Sequence, residues 1–408
     1  MNHVTHNNVC LACGSENIHT ALDLGNQPLA NAYKDSRSQA EEQYPLAVTL
    51  CHDCCHLQLS HTVDPEIIYK NYLYATGTNQ TIKGYSKWFA EFCLETYGEA
   101  NTVLDIGCND GTQLDYFKDL DVRTYGIDPA ENLHERSSRN HNVVCDFFGP
   151  AAVEKLNQVY YDIIVAQNVC AHNPDPLGFV ESCKELMGDD TFLFIQTSQA
   201  DMVLNDEFDT IYHEHVNFFN ANSMYKLARR AGLFLIDVVK APIHGNSYIF
   251  ILTKQDLRPA HVANIIAMEQ SYGLLNLKTY QDWEHNVRTN VADLVETLDN
   301  YRNQGYMLVG YGAAAKGNTL LNFADFNLEF IIDDSSLKQG KFTPGKACPI
   351  VPITELDKYK QEDKLLFIPL AWNFFTEIKS RIQTVRNNPT DKFVKYFPKV
   401  EVNWWKII

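Results

Sequence analysis

Four cysteines fall into two pairs with the same two-residue gap, Cys10-Leu11-Ala12-Cys13 and Cys51-His52-Asp53-Cys54. That gap lets both thiolates of one knuckle reach a single tetrahedral zinc. Gly14 follows the first pair, where the chain must turn tightly beneath the metal. Four thiolates leave no position for a water, so the expected zinc is architectural. His52, Cys55 and His56 crowd the second knuckle and leave the ligand identity there open. The 37 residues between the pairs exceed a minimal ribbon, so an excursion containing Asn26-Gln27-Pro28-Leu29 is expected between them.

A second cluster follows the apolar run Val103-Leu104. It reads Asp105-Ile106-Gly107-Cys108-Asn109-Asp110-Gly111, a turn whose glycines let backbone approach a ligand closely. It lacks the full G-x-G-x-x-G dinucleotide fingerprint. Carboxylates at Asp105 and Asp110 would repel a pyrophosphate but suit a cationic cofactor. S-adenosylmethionine (SAM) fits that requirement, since its amino group and sulfonium are positive. Asp128, ending the next strand, is placed to bond both ribose hydroxyls, and Asp146-Phe147 to cap the adenine. Asn168, directly after the fourth strand, completes the expected cofactor set. A Rossmann-like turn for another nucleotide is the alternative.

Ile211-Tyr212-His213-Glu214-His215-Val216-Asn217-Phe218 is the densest titratable stretch in the chain. It follows a strand through an acid-rich loop, near the sheet edge where ligands bind in α/β folds. Imidazole near neutrality suits proton transfer, with Glu214 to orient a histidine and Tyr212 to bond an oxyanion. A metal cluster or a structural loop are the alternatives. His172, in Asn168-Val169-Cys170-Ala171-His172, also follows a strand directly. Later, Gly310-Tyr311-Gly312-Ala313-Ala314-Ala315-Lys316 places a glycine turn at a strand end before a helix, a plausible diphosphate site. Asp333, Lys338 and Lys341 follow, the lysines adding local positive charge. No acid is recognised at the ribose-binding position after Gly312, which speaks against a C-terminal dehydrogenase.

The elements that position these residues alternate strands with helices. Strands are expected at 103–106, 123–128, 161–166, 191–195 and 247–253, and again at 307–311, 330–333 and 364–368. Helix-forming sequence without strand signal fills 257–304. The fold class is α/β: a central doubly wound Rossmann-like sheet, a small N-terminal zinc module and a C-terminal Rossmann-like domain. Boundaries are expected at 1–66, 67–255, 256–304 (a helical connector) and 305–408, with no internal repeat. The 408 residues carry 51 Asp plus Glu against 34 Lys plus Arg, a net charge of −17. Bulk attraction to nucleic acid or anionic membrane is thereby disfavoured. No run approaches the ~18 apolar residues of a membrane span. The polar start, Met1 to Asn8, lacks a signal-peptide core, so a cytoplasmic enzyme is expected. The other seven cysteines read as packing residues.

In their order, the cysteine pairs, the Asp105 turn, the Asn168–His172 segment, Tyr212-His213-Glu214-His215 and the Gly310–Gly317 segment resemble the three-part sugar C-methyltransferases acting on nucleotide-linked keto-deoxysugars. The resemblance spans essentially the whole chain. It implies a zinc module, a SAM domain and a C-terminal domain that helps hold the nucleotide-sugar. By that resemblance His215 is the general base, Tyr212 and Glu214 support it, and His172 is a site residue. Tyr72 and Tyr74 match a Tyr-x-Tyr element, one of which reaches the sugar. His244-Gly245-Asn246-Ser247 resembles a His-Gly-Gly-Ser element, with Asn246 at the second glycine and Ile249 where an arginine is usual. Gly312, Ala314, Lys316, Asp333, Lys338 and Lys341 fall on the nucleotide-binding half. The implied reaction is SAM-dependent methylation at C-3 of a dTDP- or GDP-linked 4-keto-6-deoxysugar by a monomer or weak homo-oligomer. The rivals are O- or N-methylation of another small molecule, and a zinc-ribbon RNA methyltransferase.

Overall fold

A computed structural model describes residues 3–69, 80–157, 159–198, 201–241 and 247–403. Tyr72, Tyr74, His244 and Asn246 lie outside the described residues. The chain divides into two compact units. One comprises Met1–Thr20, Thr49–Asp201 and Glu214–Leu277, the other Ala21–Val48, Met202–His213 and Lys278–Ile408. The zinc-ligand segments thus share a unit with the methyltransferase-like sheet, while the excursion at 21–48 is counted with the C-terminal residues.

The first unit is built on a seven-stranded sheet: β1 (Thr102–Ile106), β2 (Arg123–Asp128), β3 (Asn142–Cys145), β4 (Tyr161–Gln167), β5 (Met187–Ser198), β6 (Phe234–Ala241) and β7 (Ser247–Thr253). Their spatial order is β6-β7-β5-β4-β1-β2-β3. β1 to β5 run parallel, and β7 is antiparallel to both β5 and β6. Every residue of β1 is buried, as expected of a strand covered on both faces. One face packs Leu104, Ile106, Ile164 and Leu193. The other packs Val103, Ile163, Val165 and Phe194 against Phe89 and Ala90 of helix α1 (Gln80–Tyr97). The strand order reverses at β1, which neighbours β2 on one side and β4 on the other. That switch point opens a ligand crevice at the carboxyl ends.

β6 is a strand that the hydrophobic pattern alone does not announce. It lies at the sheet edge, and a bulge between Leu235 and Asp237 breaks its alternation. Helix α2 (Thr112–Lys118) follows the β1 turn, and α3 (Ala221–Ala231) is capped by Asn220 and Ser223. The expected connector is two helices, α4 (Pro259–Ser271) and α5 (Leu277–Asn303), separated at Gly273, whose φ is +91°. Glu269 of α4 receives the Ala221 amide at 2.8 Å, placing a carboxylate on the positive end of α3.

The second unit carries β8 (Tyr306–Tyr311), β9 (Phe330–Ile332), β10 (Ile350–Val351), β11 (Lys364–Pro369), β12 (Lys392–Lys395) and β13 (Glu401–Asn403), in the order β10-β9-β8-β11-β12-β13. All but β13 run parallel. Helix α6 (Ala315–Phe323) follows β8. The order reverses again, at β8. No helix among the described residues is long and apolar enough to cross a membrane.

Candidate active site

The four paired cysteines converge. Their sulfurs all lie within 4.8 Å of one another, and Cys10–Cys54 and Cys13–Cys51 stand 3.6 Å apart. Zn–S bonds of about 2.3 Å directed tetrahedrally require edges of about 3.8 Å, so the cluster fits one zinc. The neighbouring residues left open by the sequence have other partners. His52 packs its ring against His19 at 4.1 Å, and His56 faces the Asn217 amide oxygen at 3.1 Å. The knuckles are tied to α3: Arg230 donates to Ala12 O at 2.7 Å, and the amides of Asn220 and Asn222 donate to Cys55 O and Cys54 O. Cys10, Cys51 and Cys54 belong to the same apolar core as Leu104 and Leu227. The zinc site is therefore a corner of the first unit's core.

At the switch point Gly107 has φ +76°, and a Cβ there would stand 2.4 Å from Val169 Cγ2. Its N–H donates to Ile127 O at 2.8 Å. The Asp128 carboxylate accepts from the Asn109 amide (2.9 Å) and the Ala130 amide (2.8 Å), which fixes its direction while leaving lone pairs for hydroxyls. Burial pushes the carboxyls of Asp105 and Asp128 above the ordinary range. A cation beside them offsets that penalty, and this is the respect in which the site fits SAM. Asn109 and Asn168 both hold positive φ, +50° and +56°, at the ends of β1 and β4. Such conformations concentrate at ligand sites. Asp110 braces the turn. Its side chain is fully buried, accepts from Thr112 and pairs with Arg136 at 2.9 Å. Asp146 is paired with Lys155 at 2.5 Å beside the exposed ring of Phe147.

His172 and His215 are brought together, ring centroids 5.0 Å apart, with Phe218 set edge-on to His215 at 6.3 Å. Apolar surroundings pull His172 down to about 4, so its imidazole is neutral at neutral pH. His215 and Glu214 are both buried. Directly after His215, the strand 217–218 pairs antiparallel with the strand 57–59 of the zinc ribbon. Asn217 spans the two candidate histidines' surroundings: its amide donates to Asn173 O at 2.8 Å, next to His172, while its oxygen faces His56. Asn217 was missed by sequence reasoning, since nothing in one sequence marks an asparagine as a bridge. Ser247 is buried at the start of β7, opposite Ser198. Tyr212 and His213 belong to the second unit; His213 there meets Tyr44 O at 3.3 Å.

The second unit repeats the Asp128 device. Gly312 has φ +87° and donates to Ile332 O at 2.7 Å, as Gly107 does to Ile127. Asp333 then accepts from Ala313 N (2.7 Å) and Ser335 N (2.8 Å). In both units the acid lies 21 residues after the glycine. Asp333 thus stands in the second unit as Asp128 stands in the first, directly after the residue that receives the glycine N–H. The strand expected at 330–333 is present as β9, three residues long, and Asp333 follows it directly. Lys338 stands at the same turn, its ammonium on Ala313 O at 2.7 Å and 3.8 Å from Asp333. Ala314 caps α6. Lys341 pairs with Asp35, and Lys316 turns inward over the Trp372 ring. Trp372 donates to Asp209 at 2.9 Å, and burial pushes that carboxyl up to about 6.

Three family models run in order along the chain: a zinc binding domain over residues 10–69, a methyltransferase domain over 80–238, and a C-methyltransferase C-terminal domain over 242–398. C-methyltransferase NovU of Streptomyces niveus is 28% identical over 384 residues, 90% of each chain. Together the three matches span most of the chain, in the order of a three-part C-methyltransferase. The chain is a SAM-dependent methyltransferase, and the Cys10–Cys54 cluster is its zinc site. Other relatives match a shorter part of the chain, as does the ubiquinone biosynthesis O-methyltransferase of Glaesserella parasuis, 31% identical over 23% of this chain and 44% of its own. Among solved structures, magnesium protoporphyrin IX methyltransferase of Synechocystis PCC 6803 aligns with 47% of this chain and all of its own, at 13% identity and a TM-score of 0.36.

Proposed function

We propose that this C-methyltransferase methylates a nucleotide-linked 4-keto-6-deoxysugar at C-3. The observation that carries the reading is the His172–His215 pair, 5.0 Å apart, on segments that follow β4 and β5. A carbon acid needs a base, and neither O-methylation of an acidic phenol nor simple proximity would require two imidazoles side by side there. The 4-keto group acidifies the adjacent C–H and stores the charge as an enolate. His215 takes the C-3 proton. His172, held neutral, donates to the developing oxyanion. SAM supplies the electrophilic methyl group that the resulting carbon nucleophile attacks. Asp128 orients the cofactor's ribose.

In the second unit, the Gly312 turn, Asp333 and Lys338 support binding of the substrate's nucleoside diphosphate. Asp333 is directed as Asp128 is, and Lys338 supplies a cation in an otherwise acidic protein. The test is mass spectrometry across dTDP- and GDP-linked 4-keto sugars, with SAM present. A gain of one methyl group on at least one of them is expected, with deuterium washing into C-3 in heavy water before transfer. Methylation without exchange in any substrate would overturn the enolate route.

A further inference from the structure

Two neighbouring elements of the first unit carry buried polar atoms that nothing among the described residues satisfies. Helix α1 and strand β5 pack side by side through a ladder of aromatic contacts. Tyr97 meets Phe192 at 5.3 Å, and one step further Phe92 and Phe89 meet Phe194 at 6.1 and 6.4 Å. Each step of two residues along β5 corresponds to about one turn back along α1, because the two elements run in opposite directions. Extended by one more step, the ladder reaches Gln196 on β5 and Tyr85 on α1, and Tyr85 itself stacks on Phe89 at 5.9 Å. Gln196 is fully buried, and both its amide nitrogen and its amide oxygen lack a hydrogen-bond partner; so does the buried hydroxyl of Tyr85. The neighbouring glutamine cannot help. Gln167, level with Gln196 on β4, donates to Gln113, which in turn donates to Ser86 O.

Buried amides without partners are rare because each missing bond is costly. Three such atoms at one level, at the carboxyl end of the sheet, point to a polar ligand group that completes them. An amide and a phenol together offer donors and acceptors, and no formal charge. A hydroxyl, which donates and accepts, is their complement. Gln196 also lies on β5, across β4 and β1 from the strand that ends in Asp128. We propose that Gln196 and Tyr85 form a hydroxyl-recognition subsite for the methyl acceptor. The assignment rests on the sugar reading above, since it takes the acceptor to carry hydroxyls.

The test uses the full chain carrying Gln196→Met or Tyr85→Phe. Each variant removes orphaned polar atoms while keeping the shape. Thermal stability without acceptor should equal or exceed that of the wild type, and SAM affinity by calorimetry should stay within about twofold. KM for the nucleotide-linked keto sugar should rise on the order of tenfold, with kcat changed far less. A drop in stability in both variants would show that the groups are satisfied structurally and would overturn the subsite. So would an unchanged KM, or a loss confined to SAM binding. Wild-type inactivity on every keto sugar would instead overturn the function proposed above, and the stability comparison would then decide the subsite by itself.

Discussion

Replacing Asn217 with alanine should uncouple the zinc ribbon from the histidine pair. Asn217 is buried and makes two bonds, to Asn173 O at 2.8 Å and to His56 Nε2 at 3.1 Å. Their loss removes about 1 kcal/mol each. His56 is fully buried, and its other ring nitrogen already lacks a partner among the described residues. The variant would leave the imidazole with no bond at all, adding about 1–3 kcal/mol; Asn173, being half-buried, can recruit water instead. The total is about 3–5 kcal/mol, readable as a shift in urea midpoint with an unchanged slope. The zinc itself should remain, because all four thiolates are untouched. Turnover should fall more than SAM affinity, because Asn217 stands two residues from His215 and its partner Asn173 one from His172. A destabilisation under about 1 kcal/mol, with normal turnover, would refute the bridge.

Metal analysis should find one zinc per chain, and Cys13→Ser should lose it and aggregate, since structural zinc supplies folding free energy; folded, active, zinc-free protein would refute the site. Asp128→Ala should weaken SAM by at least about tenfold in calorimetry, given ~1.5–3 kcal/mol per bond to a charged group. His215→Asn should lose ~10²–10⁴-fold in turnover and stop C-3 exchange while still binding SAM; if His172→Asn abolishes exchange instead, the two roles are reversed. Burial holds His172 at about 4 against an ordinary value near 6.5. Its contribution to stability is therefore complete above pH 6.5 and is lost as pH falls toward 4, by up to about 3 kcal/mol. The stability gap between wild type and His172→Asn should narrow across that window, and parallel curves would refute the shift.

The sequence was legible where chemistry forces a residue type. Thiolates at C-x-x-C spacing are hard to explain without a metal, and the two pairs do meet. The glycine of the Asp105 turn was legible for a similar reason: a Cβ at Gly107 would collide with Val169. Strands β1, β4 and β7 were readable because burial on both faces leaves largely apolar runs. β6 was not, because its edge position and bulge break the pattern. Nor could Lys316 or Asp110 be assigned by type alone, since a charged side chain can face either a ligand or a buried partner. The structure directs Asp110 to Arg136 and Lys316 toward Trp372.

The matched turns at Gly107 and Gly312 show why no repeat was visible. What the two units share is a backbone bond from a glycine to the strand beside it, and a carboxylate receiving two amides. Backbone donors carry no residue identity, so sequence retains little of the device besides a glycine and an acid at fixed separation. The residues around the two acids differ accordingly: Tyr125-Gly126-Ile127-Asp128-Pro129-Ala130 in one, Phe330-Ile331-Ile332-Asp333-Asp334-Ser335 in the other. Yet a carboxylate pinned by two amides keeps its direction whatever surrounds it. The same device can therefore recur beside opposite neighbouring charges, the Asp105 carboxyl in the first unit and the Lys338 ammonium in the second.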